Sequence, residues 1–112
     1  MGAQLAGRVA VVTGGGGSIG RAVALTFARH GASVLVSDYG GRHNTIGRGS
    51  VTAADKVVAK IREMGGVAIA DYSDVTQLVT GENIVNTAVT RWGRLDILFH
   101  AAGIARNVPN GT

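Results

Sequence analysis

The stretch from Val9 to Gly20 constrains the fold more than any other part of the chain. Val9-Ala10-Val11-Val12 is an unbroken apolar run ending in Thr13, and four glycines, Gly14 to Gly17, follow before Ser18-Ile19-Gly20. A continuous apolar run of this kind is the mark of a strand buried on both faces, as in parallel sheets covered by helices. After the glycines, Ile19, Val23 and Phe27 recur at helical spacing up to His30-Gly31, where glycine supplies a stop. Strand, glycine turn and helix in that order open a β-α-β unit.

The rhythm repeats along the chain. Ala32 to Ser37 reads as a second strand ending at Asp38, and Tyr39 to Ser50, rich in glycine, as a loop over 39–50 about twice the usual length. Ala54, Val57, Val58, Ile61 and Met64 form one stripe of a second helix, with Thr52 and Asp55 at capping-box spacing and Gly65-Gly66 as its stop. Val67 to Tyr72 is a third strand, Ile84, Val85, Ala88, Val89 and Trp92 mark a third helix ending at Gly93, and Leu95 to Ala101 is a fourth strand. The expected fold is α/β: a Rossmann-like doubly wound parallel sheet, β-α-β-α-β-α-β, truncated after strand 4, in the order 3-2-1-4. Residues 1–112 read as a single, partial domain without internal repeats. Strand 4 is apolar on both faces and normally interior, so the chain alone is expected to be marginally stable and to form a homo-oligomer or aggregate.

Composition narrows the function classes. No cysteine is present, which excludes disulfides, a thiolate nucleophile and cysteine metal sites. The net charge is +4, but the arginines are spread singly, without a basic cluster or interleaved aromatics, so no nucleic-acid partner is expected. No apolar stretch approaches the roughly 20 residues of a membrane span, and no secretory signal is visible, so an intracellular protein is expected and not a secreted one. His43 and His100 are lone histidines, read as a loop and a strand-end residue, and no metal site is expected.

The glycine turn carries the chemistry. Gly15, Gly17 and Gly20 satisfy Gly-x-Gly-x-x-Gly between a strand and a helix, a context that suits a pyrophosphate: a tight turn, no Cβ in the way and a helix N-terminus with free N–H groups. A nucleoside triphosphate loop would need Gly-Lys-Ser/Thr, whereas Gly20 is followed by Arg21-Ala22. Asp38, at the end of the second strand, is placed to accept from adenosine ribose hydroxyls and to repel a 2′-phosphate. NAD is therefore expected over NADP, with Arg42 and Arg48 in the long loop as the residues that would serve a 2′-phosphate. Asp74, just past the third strand, is placed to meet the adenine edge. The plainer alternatives are a packing turn for the glycines, a turn residue for Asp38 and a helix N-cap for Asp74.

These residues resemble the short-chain dehydrogenase/reductase family, and specifically its first half. The resemblance rests on Thr13 to Gly20, Asp38, Asp74-Val75, Trp92-Gly93-Arg94-Leu95-Asp96 and Ala102-Gly103, and it covers nearly the whole chain. Asp38-Tyr39-Gly40-Gly41, the long loop, Ala53 to Val58, Gly65-Gly66, Ala70-Asp71-Tyr72 and Ala102-Gly103-Ile104 look like the (3R)-hydroxyacyl-CoA dehydrogenase module of peroxisomal multifunctional β-oxidation enzymes. The resemblance implies NAD-linked oxidation of a 3-hydroxyacyl-CoA to the 3-oxo thioester, an acyl-CoA-type substrate for the full-length parent, and cofactor contacts from Thr13, Gly14, Gly17, Ser18, Ile19, Gly20, Asp38, Asp74, Val75, Ala101, Ala102 and Gly103.

Three departures from the family pattern qualify it. Ser18 stands where the family has a glycine, small enough to cap the helix but with a Cβ that narrows the phosphate approach. His100-Ala101-Ala102-Gly103 replaces Asn-Asn-Ala-Gly, losing an amide that the family uses to tie the sheet together. Both changes lean toward the extended branch that acts on nucleotide sugars. Third, the family's proton-transfer tyrosine has a lysine four residues on, but Tyr39 is followed there by His43 and Tyr72 by Thr76. No catalytic residue is therefore assigned: the expectation is the cofactor half of a longer oxidoreductase, or else a non-catalytic nucleotide-binding module acting through assembly.

Overall fold

A computed structural model of the chain describes residues 4–14, 17–38, 53–72 and 78–101. Four parallel strands alternate with three helices: β1 (Val9–Thr13), α1 (Ser18–Arg29), β2 (Ser33–Ser37), α2 (Ala53–Glu63), β3 (Val67–Asp71), α3 (Leu78–Trp92) and β4 (Ile97–His100). The sheet order is β3-β2-β1-β4, the order expected. β1 is paired on both edges, with Val11 opposite Leu35 of β2 and Leu98 of β4.

Two apolar clusters lie on the two faces of the sheet. Val12, Val34, Val36 and Ala68 pack with Ala24, Leu25 and Ala28 of α1 and Ala54, Val57, Val58 and Ile61 of α2. On the other face Val9, Val11 and Leu35 pack with Ile84 and Ala88 of α3. Successive strand residues point to opposite faces, so β1, apolar at every position from Val9 to Val12, feeds both clusters and is buried throughout. This is why a continuous run, and not an alternating one, encodes it.

The helix faces differ from the stripes expected of them. α1 buries Gly20, Ala24, Leu25 and Ala28, whereas Ile19 is 48% exposed and Val23 and Phe27 are only partly buried. Small residues let the helix axis approach the strands, and the larger ones are turned to its flanks. In α3, Ile84 and Ala88 face the sheet while Val89 is 42% exposed. Met64 lies past the end of α2 and is exposed. β4 is shorter than Leu95 to Ala101, because Asp96 turns its carboxylate back to the backbone of Val9. The expected capping by Thr52 and the loop over 39–50 lie outside the described residues.

The turn after α2 is tight. Gly66 donates its N–H to the Ile61 carbonyl at 2.9 Å, and a Cβ at Gly66 would stand 2.8 Å from Ile61 Cγ2. Arg62 donates from Nε and Nη2 to the Ala68 carbonyl at 3.2 and 2.9 Å, tying α2 to β3.

Candidate functional site: a groove at the carboxyl ends of the strands

The C-terminal ends of β1, β2 and β4 meet at the glycine turn. Gly14, with φ of 73°, takes a left-handed conformation that a residue with a Cβ rarely adopts. Its N–H donates to the Ser37 carbonyl at 2.7 Å, so the turn leaves β1 while still held to β2. Gly17 then stands at the N-cap position of α1, its N–H donating to the Gly14 carbonyl at 3.2 Å and its carbonyl accepting from Arg21 at 2.8 Å. No side chain caps the helix and no acidic residue stands in its first turn. Ser18 is the first helical residue and does not fill the capping role expected of it.

Gly14, Gly17, Ser18, Ile19, Gly20, Asp38 and Ala101 line one groove of about 250 Å³. It lies where the chain order reverses, since β1 is followed in sequence by β2 on one side and flanked by β4 on the other. Open α/β sheets bind ligands at such a switch point. Two larger depressions, of about 420 Å³ beside Arg29, Met64 and Val67 and about 480 Å³ beside Ile69, Asn83 and Arg91, lie elsewhere. Volume alone would choose one of them; the uncapped helix end and the carboxylate distinguish the smaller groove.

The groove has the features an anionic dinucleotide needs. The uncapped first turn of α1 carries partial positive charge from its unsatisfied N–H groups. A Cβ on Gly17 would stand 3.7 Å from the Gly14 carbonyl, the nearest atom among the described residues beyond its chain neighbours. Internal packing thus does not demand glycine there, and the space is kept open on the solvent side.

Of the twelve residues expected to contact a cofactor, seven line this groove, and Thr13 ends β1 next to Gly14 without lining it. Asp74, Val75, Ala102 and Gly103 lie outside the described residues, as does Gly15. Thr13 is 5% exposed, and its Oγ1 is hydrogen-bonded to His100 Nδ1. Where the family pattern has an amide, an imidazole therefore ties β4 to β1.

His100 belongs to a polar row that sequence reading missed. In register across the sheet, Asp71 lies opposite Ser37, Ser37 opposite Thr13 and Thr13 opposite His100. Ser37 is fully buried and its hydroxyl donates to Asp71 Oδ2 at 3.1 Å, while the Asp38 N–H donates to the Asp71 carbonyl at 2.9 Å. Only the pairing register reveals the row. The one available sign was that polar residues end all four apolar strands.

Two further groups define the electrostatics around the sheet. The Tyr72 phenol donates to Asp55 Oδ1, and this bond, with smaller effects from burial and from the Asp55 and Asp71 charges, raises its pKa above the ordinary value. A proton-transfer tyrosine needs the opposite shift. At the far end of the sheet, hydrogen bonds from Arg94 and then from the Val9 N–H hold Asp96 down to about 2. Among the described residues no cluster of potential metal ligands occurs, and no helix is long and apolar enough to cross a membrane.

Comparison with known proteins agrees with this geometry. The chain is 52% identical over 101 residues to peroxisomal multifunctional enzyme type 2 of Mus musculus, covering 90% of this chain and 13% of that one. It is 46% identical over 101 residues to the peroxisomal hydratase-dehydrogenase-epimerase of Saccharomyces cerevisiae, covering 90% and 11%. A short chain dehydrogenase from Mycobacterium avium superposes with a TM-score of 0.79 at 42% identity, covering 88% of this chain and 34% of that structure. A 7α-hydroxysteroid dehydrogenase complexed with NADH and 7-oxo glycochenodeoxycholic acid superposes with a TM-score of 0.71 at 37% identity, covering 84% and 33%. The chain thus spans about an eighth of the two multifunctional enzymes and about a third of the two solved structures. The family model for short chain dehydrogenase matches residues 8–112, and with the sheet order and the glycine groove this shows that the chain belongs to the short chain dehydrogenase family.

Proposed function

We propose that residues 1–112 form the cofactor-binding part of an NAD-linked oxidoreductase. The whole protein would oxidise a 3-hydroxyacyl-CoA to the 3-oxo thioester, in a peroxisomal or other intracellular setting. The observation that carries the reading is the meeting of Gly14, the uncapped end of α1, Asp38 and Ala101 in one groove. Bound there, the dinucleotide would supply a nicotinamide able to accept or return a hydride. Within the groove, Gly14 makes the turn, Gly17 leaves room for the pyrophosphate, and the N–H groups of Ser18 and Ile19 face its charge. Asp38 accepts from the adenosine ribose hydroxyls, which favours NAD over NADP because a 2′-phosphate would meet a carboxylate. Ala101 leaves space beside the β1–β4 junction, and Asp74-Val75 and Ala102-Gly103 are assigned to the same ligand by the family motif.

The substrate assignment draws on two relatives named as peroxisomal multifunctional enzyme and peroxisomal hydratase-dehydrogenase-epimerase. The cofactor assignment draws additional support from the dehydrogenase solved with NADH. Proton transfer is not assigned to a residue of this chain, since Tyr72 is engaged by Asp55. Titration with NADH, followed by its fluorescence, tests the groove: Gly14→Val and Asp38→Ala should each weaken binding at least about tenfold, the scale of a blocked approach or a lost pair of charge-assisted hydrogen bonds. Unchanged affinity in both variants would remove the assignment.

A further inference from the structure

The peptide that joins Ser37 to Asp38 is clamped on both sides. Its carbonyl, from Ser37, accepts the Gly14 N–H at 2.7 Å, and its N–H, from Asp38, donates to the Asp71 carbonyl at 2.9 Å. The first bond reaches to the glycine turn and the second to the edge strand β3. A third contact lies beside them: the fully buried Ser37 hydroxyl donates to Asp71 Oδ2 at 3.1 Å. Asp71 therefore holds β2 twice, by its backbone at Asp38 and by its side chain at Ser37.

This matters because Asp38 follows the last residue of β2, where regular strand pairing ends. A carboxylate reads a ribose only if its oxygens stand within hydrogen-bond distance of the hydroxyls, a tolerance of a few tenths of an ångström. With the 37–38 peptide fixed, the start of the Asp38 side chain is fixed too. Without the Ser37–Asp71 contact the peptide is held by its two backbone bonds alone, and any tilt about them carries the carboxylate with it.

We infer that Ser37 and Asp71 are positioning residues for dinucleotide choice: the Ser37–Asp71 hydrogen bond holds Asp38 where it accepts from a 2′-hydroxyl and excludes a 2′-phosphate. The inference rests on the reading of the groove as an NAD site and extends it to two residues that do not line the groove. It is a claim about geometry and not about added negative charge, because Asp71 acts as an acceptor for Ser37. An asparagine at 71 offers the same acceptor without the charge.

The test titrates the whole protein separately with NADH and NADPH. Ser37→Ala and Asp71→Ala should each lower the preference for NADH over NADPH about fivefold, the net worth of one hydrogen bond, while Asp71→Asn should stay within about twofold of the parent. A proportional loss of both affinities would mean that the pair is only structural, and Asp71→Asn behaving like Asp71→Ala would mean that charge decides; either result overturns the inference. Should Asp71→Ala fail to fold, Ser37→Ala, which removes one buried hydroxyl, carries the test with Asp71→Asn. Asp38→Ala separates the levels. If it abolishes the preference while Ser37→Ala and Asp71→Ala leave it intact, the groove reading stands and the inference fails; if Asp38→Ala itself leaves the preference intact, both fail.

Discussion

Val9 and Asp96 exchange two hydrogen bonds at the start of the β1–β4 pair: the Val9 N–H donates to Asp96 Oδ2 at 2.8 Å, and the Asp96 N–H donates to the Val9 carbonyl at 2.9 Å. Arg94 adds two more to the same carboxylate, at 2.9 and 2.8 Å, and Arg8 stands 3.6 Å away. One carboxylate thus closes the ladder before β4 begins and gathers two guanidinium groups around it.

This clasp makes stability depend on acid in a defined window. Asp96 is held to about 2, below its unfolded value. A carboxylate shifted down contributes its stability in full above the unfolded pKa of roughly 4, and loses it as pH falls through the folded value. Asp96→Asn should therefore unfold at lower urea concentration than the parent at neutral pH, with the difference shrinking as pH falls from about 5 toward 2. A difference that stays constant across that range would contradict the assignment.

At the other end of the same strand pair, Thr13 and His100 should be energetically coupled. Thr13→Val and His100→Ala each remove the only side-chain hydrogen bond between those positions, and each should cost about 1 kcal/mol. The double variant should cost little more than either single one, leaving a coupling of about 1 kcal/mol in a double-mutant cycle measured by denaturation. Strict additivity would show that the bond does not contribute.

Gly66→Ala tests the packing of the turn after α2. The new methyl would meet Ile61 Cγ2 at 2.8 Å and the Ile61 carbonyl at 3.2 Å; Ile61 is fully buried and cannot swing aside. A loss of about 1–3 kcal/mol is expected from overpacking. Adding Ile61→Leu, which removes the branched methyl, should restore part of it; thermal melts of the single and double variants would show whether it does.

Tyr72 should titrate late and contribute nothing to dinucleotide binding. Its phenol is neutral when it donates to Asp55, and its pKa is raised. A raised tyrosine pKa contributes stability below the unfolded value of about 10 that is lost as pH rises through the folded one. Tyr72→Phe should remove the later phenolate transition in the ultraviolet spectrum and leave NADH affinity unchanged. A large drop in affinity would place this side chain in the binding machinery instead.

What was legible in the sequence was what depends on neighbours along the chain. The run from Val9 to Thr13 and the glycines after it announced a buried strand and a turn, and Asp38 announced the end of the next strand. The buried face of α1 was only partly legible: of the bulky residues at helical spacing, Val23 and Phe27 pack against the core, but packing on a sheet selects Gly20, Ala24 and Ala28 for close approach and leaves Ile19 at the groove. Ser37, Asp71 and His100 were illegible as partners, since their contacts depend on the register of three strand pairs. The same is true of Asp96, whose acceptor role toward Val9 spans 87 positions.

Both clasps of the β1–β4 pair, Val9 with Asp96 and Thr13 with His100, join residues 87 positions apart. On a growing chain the glycine turn is made early, but its opposite wall at Ala101 comes only after three helices and three strands have been synthesised. Closing so long a loop is an entropic cost met late in folding. A dinucleotide in the surrounding solution would thus have little to grip while the first β-α-β units form, and its influence on folding would be concentrated in the final docking of β4, where it acts as a latch on the completed wall and not as a template for building it.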